Sequence, residues 1–317
     1  MTRKTVSAAV VQAGTALYDT PRTLAKMADL ASDAARKGAA LVVFPEAFVG
    51  GYPAGIDFGT RIGSRTQAGR EEFRRYFESA ISLYGDGGKR IGAIARDCCI
   101  TLVTGVIERV GGTLYCTAAT FSSGGQLLAR HRKLVPTAHE RLIWGQGDGS
   151  TLGVLQTPLG RIGSVICWEN YMPLLRMAMY AQGVEIYCAP TVDSRETWLP
   201  SMRMIALEGR CFVLSACQFL QRKDCPPEYD PVQGNDPETV MIRGGSCIID
   251  PLGTVLVEPA FDCERIAIAE LNLNQIPLGK FDLDVAGHYA RPDIFTLKVN
   301  TSARESATFA VDTEDGK

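Results

Sequence analysis

The chain has 317 residues, 46% of them hydrophobic and 21% charged, and its 33 basic and 35 acidic side chains leave a net charge of −2. These proportions exclude a disordered, collagen-like or coiled-coil chain, and the length allows a full core without disulfide or metal staples. The near-neutral balance lacks the basic excess of a nucleic-acid binder, and no apolar run reaches the eighteen or so residues of a membrane span.

In chain order, residues 6–12 read as a strand. A helix follows over 21–37, with Thr20 as its N-cap, Pro21 at the first helical position and Gly38 ending it. Residues 41–45 form a second strand, completing a β-α-β unit. Helical spacing returns at 70–80 and 88–97. Strand-like runs occupy 101–107, 114–121 and 126–130. After a further strand at 161–166 come helix 173–182, strand 184–189, helix 198–208 and strand 211–217. The last strands, at 246–249, 254–257 and 265–271, include a pair joined by the turn Pro251-Leu252-Gly253. Many of these runs are apolar throughout, which suits strands covered on both faces. Two sheets with helices outside fit this order. No low-complexity linker divides the chain, so a single domain is expected over residues 1–300, with a polar tail at 301–317. The ten cysteines form no C-x-x-C pair, and no signal-peptide pattern opens the sequence. Free thiols in a reducing, cytoplasmic compartment are the expectation.

Three strand-like runs, two of them apolar, end on residues able to do chemistry. Leu41-Val42-Val43-Phe44 stops at Pro45-Glu46. Arg130-His131-Arg132 leads to Lys133. Ile162-Gly163-Ser164-Val165-Ile166 stops at Cys167, followed by Trp168-Glu169-Asn170 and a helix from Pro173. A thiol facing a helix start would find N–H groups and a positive dipole end, both favouring the thiolate. The plain alternative is a small core residue, as for the other nine cysteines. Glu46, desolvated at the end of a buried strand, is the economical base for the thiol proton, since burial raises a carboxyl pKa toward neutrality. A Cys–His dyad with His131, His139 or His288 stays open. Lys133 reads either as an ammonium over a developing anion or as part of a solvated basic face. No metal-ligand spacing is present, and no cofactor is required.

These stretches carry a resemblance. Phe44-Pro45-Glu46-Ala47-Phe48-Val49-Gly50-Gly51-Tyr52-Pro53, His131-Arg132-Lys133-Leu134-Val135-Pro136-Thr137, Glu140–Gly145, Ile166-Cys167-Trp168-Glu169-Asn170-Tyr171 and Gly287–Asp293 are similar to the motifs of the nitrilase branch of the carbon–nitrogen hydrolase superfamily. The likeness runs from about residue 5 to 300 and is strongest to plant-type nitrilases and their bacterial relatives. It implies an α/β fold, the α-β-β-α sandwich, dimerising into an α-β-β-α–α-β-β-α core. It implies a Glu46, Lys133, Cys167 triad, with Glu140 as a second glutamate beside it. It further implies hydrolysis of a small-molecule nitrile to the acid and ammonia through thioimidate and thioester intermediates, without metal or cofactor. A homodimer building larger oligomers or helical filaments is the implied assembly. The sequence ends soon after Ala290-Arg291-Pro292, without the longer tail of many relatives, which bears on filament formation.

Tyr52, Trp144, Trp168 and Tyr171 are candidates to shape the pocket, with Trp198 and Met202 on a helix that would cover it. Each reads otherwise as packing. Rings suit an arylacetonitrile or aromatic nitrile, whereas the plant-type likeness points to β-cyanoalanine. Two alternatives stand beside nitrile hydrolysis: amide-forming or amidase activity on the same scaffold, and a catalytically silent, self-assembling scaffold.

Overall fold

The computed structural model describes residues 5–305 and 307. In chain order its elements are β1 (Thr5–Gln12), α1 (Thr20–Arg36), β2 (Leu41–Val43), a short ribbon of β3 (Thr60–Arg61) and β4 (Ser64–Arg65), α2 (Gln67–Ser79), α3 (Asp86–Asp97), β5 (Thr101–Val110), β6 (Thr113–Phe121), β7 (Leu127–Arg132), β8 (Val154–Thr157), β9 (Gly160–Ser164), α4 (Pro173–Ala181), β10 (Ile186–Cys188), α5 (Trp198–Gly209), β11 (Phe212–Ser215), β12 (Phe219–Gln221), β13 (Val240–Arg243), β14 (Cys247–Ile249), β15 (Val255–Val257), β16 (Arg265–Asn272) and α6 (Gln275–Lys280). All five predicted helices are present. The sequence reading lacked β8, α6 and the antiparallel ribbons β3–β4 and β12–β13. The cap of α1 also differs: Asp19, not Thr20, accepts from the Arg22 amide, and Thr20 instead donates its hydroxyl to the Ser79 carbonyl.

Two six-stranded sheets share one plan. In the first, ordered β16-β1-β2-β5-β6-β7, a parallel trio β1, β2, β5 is flanked by antiparallel strands. In the second, ordered β15-β14-β11-β10-β9-β8, the parallel trio is β9, β10, β11. The expected turn after Asp250 joins β14 to β15, with Gly253 in the left-handed region at φ +83°.

Period-two alternation assigns the faces. Val6, Ala8 and Val10 of β1 meet Ile186, Phe212 and Leu214 of the second sheet in an apolar layer between the sheets. Ala9 and Val11 face outward against α1 and α3. Leu24, Met27, Ala31 and Ala34 recur at helical spacing to cover them. Full burial of each such Leu or Met stabilises the fold by about 1.5–3 kcal/mol. Outside the second sheet, Leu175 and Met179 of α4 and Met202 and Ile205 of α5 pack on Val213 and Ile249. The result is an α-β-β-α sandwich. No helix among the described residues is long and apolar enough to cross a membrane.

Candidate active site

Functional groups in open α/β sheets gather beyond the carboxyl ends of parallel strands. Here β2 leads to Glu46, β9 to Cys167 and β10 to Thr191 and Asp193. Lys133 leaves β7, whose last residue is Arg132.

The chain behind β2 is fixed to β5 by two bonds. The Phe44 amide donates to the Val103 carbonyl, and Gly105 N–H donates to the Pro45 carbonyl at 3.0 Å. A Cβ on Gly105 would run into the backbone of Pro45, Glu46 and Ala47, so glycine is what lets this segment approach β5. Ala47 then turns sharply, at φ +50°. The Glu46 side chain is wholly buried. Its Oε1 accepts from Lys133 Nζ at 2.7 Å and its Oε2 from the Val192 amide at 3.1 Å. The Cys116 thiol donates toward the same carboxylate at 3.5 Å, and Gln218 donates to the Glu46 backbone carbonyl at 2.7 Å.

Lys133 is also buried, with its ammonium set between two carboxylates: Glu46, and Glu140 Oε2 at 2.8 Å. Glu140 accepts in addition from the Thr137 amide at 2.6 Å and the Tyr52 hydroxyl at 2.9 Å. Burial raises the Glu46 pKa, with Lys133 opposing and Glu140 adding to the rise. Burial pulls Lys133 the other way, but its anionic neighbours outweigh it, and its pKa lies well above the ordinary lysine value.

Cys167 opens a tight 3-10 turn, Cys167–Tyr171, that precedes α4. Its φ of +48° is a left-handed conformation costly for a side-chain-bearing residue, the kind of backbone that persists where the surroundings over-determine it. The surroundings do so: Cys167 N–H donates to the Pro190 carbonyl at 2.9 Å, and Asn170 Nδ2 donates to the Cys167 carbonyl at 2.7 Å. The Thr191 hydroxyl donates to Sγ at 3.2 Å. The expectation of a stabilised thiolate is corrected. Burial pushes the thiol pKa up, the Glu46 charge adds to the rise, and Lys133 only partly opposes it. The net direction favours the thiol over the thiolate. None of the histidines is placed to take its proton: His131 faces Glu169, while His139 and His288 are exposed.

A cavity of about 260 Å³ reaches Cys167, lined among others by Tyr52, Glu140, Trp168, Asp193 and Arg195. Of the four aromatic candidates, Tyr52 and Trp168 line this cavity. Trp144 lies behind it, buried with its ring 5.6 Å from Lys133 Nζ and its Nε1 donating to the Tyr76 hydroxyl. Tyr171 packs edge-on between Trp168 and Trp198 outside the cavity wall. Trp198 and Met202 face the sheet rather than the cavity, in the apolar layer beneath α5, where Trp198 Nε1 donates to Ser215 Oγ at 2.8 Å. The Gly287–Asp293 stretch is largely exposed and contributes no residue to the cavity.

Sequence reasoning passed over the rim. Asp193, nearly buried, accepts from Trp168 Nε1 at 2.8 Å and from Arg195 Nε at 2.8 Å, and the Arg195 guanidinium lies 4.8 Å from the Trp168 ring. Burial would raise the Asp193 pKa, but the Arg195 and Trp168 bonds outweigh it and hold it below the ordinary carboxylate value. The only signal in the sequence was a polar segment, Asp193-Ser194-Arg195, after an apolar strand. Thr191 and Cys116 gave none, being ordinary members of their runs. No group of His, Cys, Asp and Glu side chains among the described residues has the arrangement of a metal site.

The chain matches the carbon-nitrogen hydrolase family over residues 7–280. It is 55% identical to a nitrilase of Bradyrhizobium diazoefficiens over 304 residues, 96% of this chain and 95% of that protein. It is equally 55% identical to a bifunctional nitrilase/nitrile hydratase of Nicotiana tabacum, over 96% of this chain and 89% of that one. Among solved structures, the C. elegans NitFhit protein superposes with a TM-score of 0.74 at 20% identity, covering 96% of this chain and 70% of that chain. An amidase from Nesterenkonia superposes at 0.63 and 20% identity, covering 88% and 96%. The sandwich of paired sheets and the near full-length identity lead to one placement: the chain belongs to the carbon–nitrogen hydrolase family, in its nitrilase branch.

Proposed function

We propose that the protein hydrolyses an organic nitrile to the carboxylic acid and ammonia, with Cys167 as nucleophile, Glu46 as proton acceptor and donor, Lys133 as electrostatic stabiliser and Glu140 as the group that holds Lys133. The observation that carries this reading is the buried ammonium of Lys133 between Glu46 and Glu140, beside a thiol at the end of an open cavity. The Cys167 proton passes to Glu46 as Sγ bonds to the nitrile carbon, and Glu46 hands that proton to the nitrile nitrogen, giving a thioimidate and freeing the carboxylate. Glu46 then draws a proton from water. The hydroxide adds to the same carbon, and Lys133 with the Trp168 amide balances the anionic character that develops. The nitrogen takes the water-derived proton from Glu46 and then the hydroxyl proton relayed by the same carboxylate, and ammonia leaves with the electron pair of the broken C–N bond as the C=O of a thioester forms. A second water releases the acid and returns the proton to the sulfur.

The cavity is small beside the 300–1,000 Å³ typical of drug-sized sites, which suits a compact nitrile. Its Tyr52 and Trp168 walls favour an aromatic or arylacetonitrile substrate. The Asp193–Arg195 pair at the rim supports the polar alternative, β-cyanoalanine. The test is a panel of aliphatic, aryl, arylacetonitrile and amino-acid nitriles with ammonia and acid quantified, run beside Cys167→Ala. Acid and ammonia in equal amounts from the wild type alone fit the reading. Turnover by Cys167→Ala excludes it. The names of relatives such as the Nicotiana tabacum protein favour a second product from the same intermediate. If the C–S bond breaks before the C–N bond, an amide leaves, and the acid-to-amide ratio measures that partition.

We infer further that the chain forms a homodimer over the layer outside the second sheet and builds larger oligomers from it. Leu174 of α4, Met204 of α5, Leu278 of α6 and the adjoining Phe281 expose apolar side chains there, and exposed apolar patches of this kind mark interfaces. Sedimentation velocity of the wild type against Met204→Glu tests the dimer. Ten unpaired cysteines suit the reducing cytoplasm.

A further inference from the structure

Glu169 is a second fully desolvated carboxylate, within the nucleophile turn itself, and no step above uses it. Its Oε2 accepts from the Ile166 amide at 3.0 Å and its Oε1 from the Leu134 amide at 2.6 Å. Ile166 immediately precedes Cys167, and Leu134 immediately follows Lys133. One amide lies beyond β9 of the second sheet, the other beyond β7 of the first. His131, also buried, completes the set with Nε2 at 3.0 Å from Oε2 and 3.3 Å from Oε1. Burial alone would lower the imidazole pKa, but the Glu169 charge and hydrogen bond outweigh it and the net direction is upward.

Cys167 and Lys133 belong to different sheets, so no single strand ladder sets the distance between them. The layer between the sheets is apolar, and apolar contact is non-directional. A carboxylate that gathers one amide from each side is directional, and its bonds are charge-assisted. Asn170 adds a hold on the far side of the turn through the Cys167 and Val165 carbonyls.

We propose that Glu169, balanced by His131, is a positioning residue that ties the nucleophile turn to the strand end bearing Lys133 and so fixes the two reacting groups across the sheet interface. This rests on the roles given above to Cys167 and Lys133. A carboxylate suits the position because every group aimed at it is a donor. An amide side chain would set its own N–H₂ against one of the backbone N–H groups.

The experiment compares wild type, Glu169→Gln, His131→Leu and His131→Gln. It reads kcat and KM on a nitrile from the panel, the thermal midpoint, and the rate of iodoacetamide labelling at Cys167 with exposed Cys99 as internal reference. Glu169→Gln is expected to fold, to lose about 100-fold in kcat with KM changed by less than about threefold, and to label Cys167 more slowly relative to Cys99. His131→Gln, which keeps a donor toward Glu169, is expected to retain more kcat than His131→Leu at a similar thermal midpoint. Wild-type kcat in Glu169→Gln overturns the proposal. So does a loss explained by the unfolded fraction alone, with Cys167 in the folded protein labelled at the wild-type rate. A wild type that turns over no nitrile sinks the proposed function, whereas the relative labelling rates still decide whether Glu169 positions the thiol.

Discussion

Lys133 Nζ stands 2.7 Å from Glu46 Oε1, and neither side chain reaches solvent. Two charges removed from water are costly, and breaking such a pair costs more than forming it gains, because the survivor stays buried. Lys133→Met would leave Glu46 and Glu140 facing one another without a counter-charge. The expected outcome is a loss of about 3–5 kcal/mol in urea unfolding together with loss of turnover. A variant as stable as wild type would show that the ammonium does not balance these carboxylates.

The raised pKa of Glu46 gives activity and stability opposite slopes. Burial is the main cause, with Lys133 opposing. The group must be ionised to accept the Cys167 proton, so kcat/KM falls as pH drops through the raised value, placing the acid limb above the ordinary carboxylate range. For stability the sign reverses. A carboxyl whose folded pKa exceeds its unfolded value binds more protons when folded, so its contribution is present in acid and declines as pH rises from the unfolded toward the folded pKa. The measurement is a pH profile of kcat/KM beside urea unfolding at the same pH values. An acid limb at or below the ordinary glutamate value of 4.5 would contradict the assignment of Glu46 as base.

The buried thiol makes a separate demand. Because burial raises the Cys167 pKa, its alkylation near neutral pH depends on Glu46 to take the proton. Glu46→Gln removes the proton acceptor together with a charge that itself raises the thiol pKa; because burial, the main cause of the rise, stays, loss of the acceptor is expected to dominate and slow iodoacetamide labelling of Cys167, while exposed Cys99 reacts as before. Equal labelling of Cys167 in both proteins would mean that its thiolate forms without Glu46.

What could be read from the residues was local order. Apolar runs ended by Pro45-Glu46 and by Cys167 were visible because a buried strand that stops on a reactive group breaks the pattern of its surroundings. The α1 helix was legible from Pro21, Gly38 and its apolar spacing. The rim was not, because Asp193 and Arg195 acquire meaning only when the Cys167 turn brings Trp168 against them. Trp198 and Met202 were misplaced because an apolar helix face does not say which surface it covers, and α5 covers the outer face of its sheet. The strands β12 and β13 are three and four residues long and lie far apart in sequence, so neither carries a period by itself. The expectation for the tail at 301–317 falls largely outside the described residues.

Gly105 supplies a test of the scaffold behind the base. A methyl group there would meet Pro45, Glu46 and Ala47 main-chain atoms, none of which is a flexible side-chain end. Overpacking of this kind costs about 1–3 kcal/mol, and relief requires Glu46 to move from Lys133. Gly105→Ala is expected to remain folded, with a lowered thermal midpoint and kcat reduced more than KM is raised. Unchanged kinetics would show that the Glu46 segment can shift without disturbing the carboxylate.

On the proposed reading, the rim sets selectivity. Trp168 is 43% exposed yet lines the cavity, and its Nε1 bond to Asp193 fixes the ring against the Arg195 guanidinium. Removing the ring removes apolar contact that a phenyl-bearing nitrile would use and a short aliphatic nitrile would not. Trp168→Ala is expected to lower kcat/KM for an arylacetonitrile by about 10- to 100-fold relative to a short aliphatic nitrile, the range that pocket apolar contacts discriminate. Trp168→Phe keeps the aromatic wall and loses only the N–H donor, so it should restore most of that ratio. Equal losses on both substrates in Trp168→Ala would assign the residue to holding Asp193 and Arg195 in place rather than to contacting the substrate.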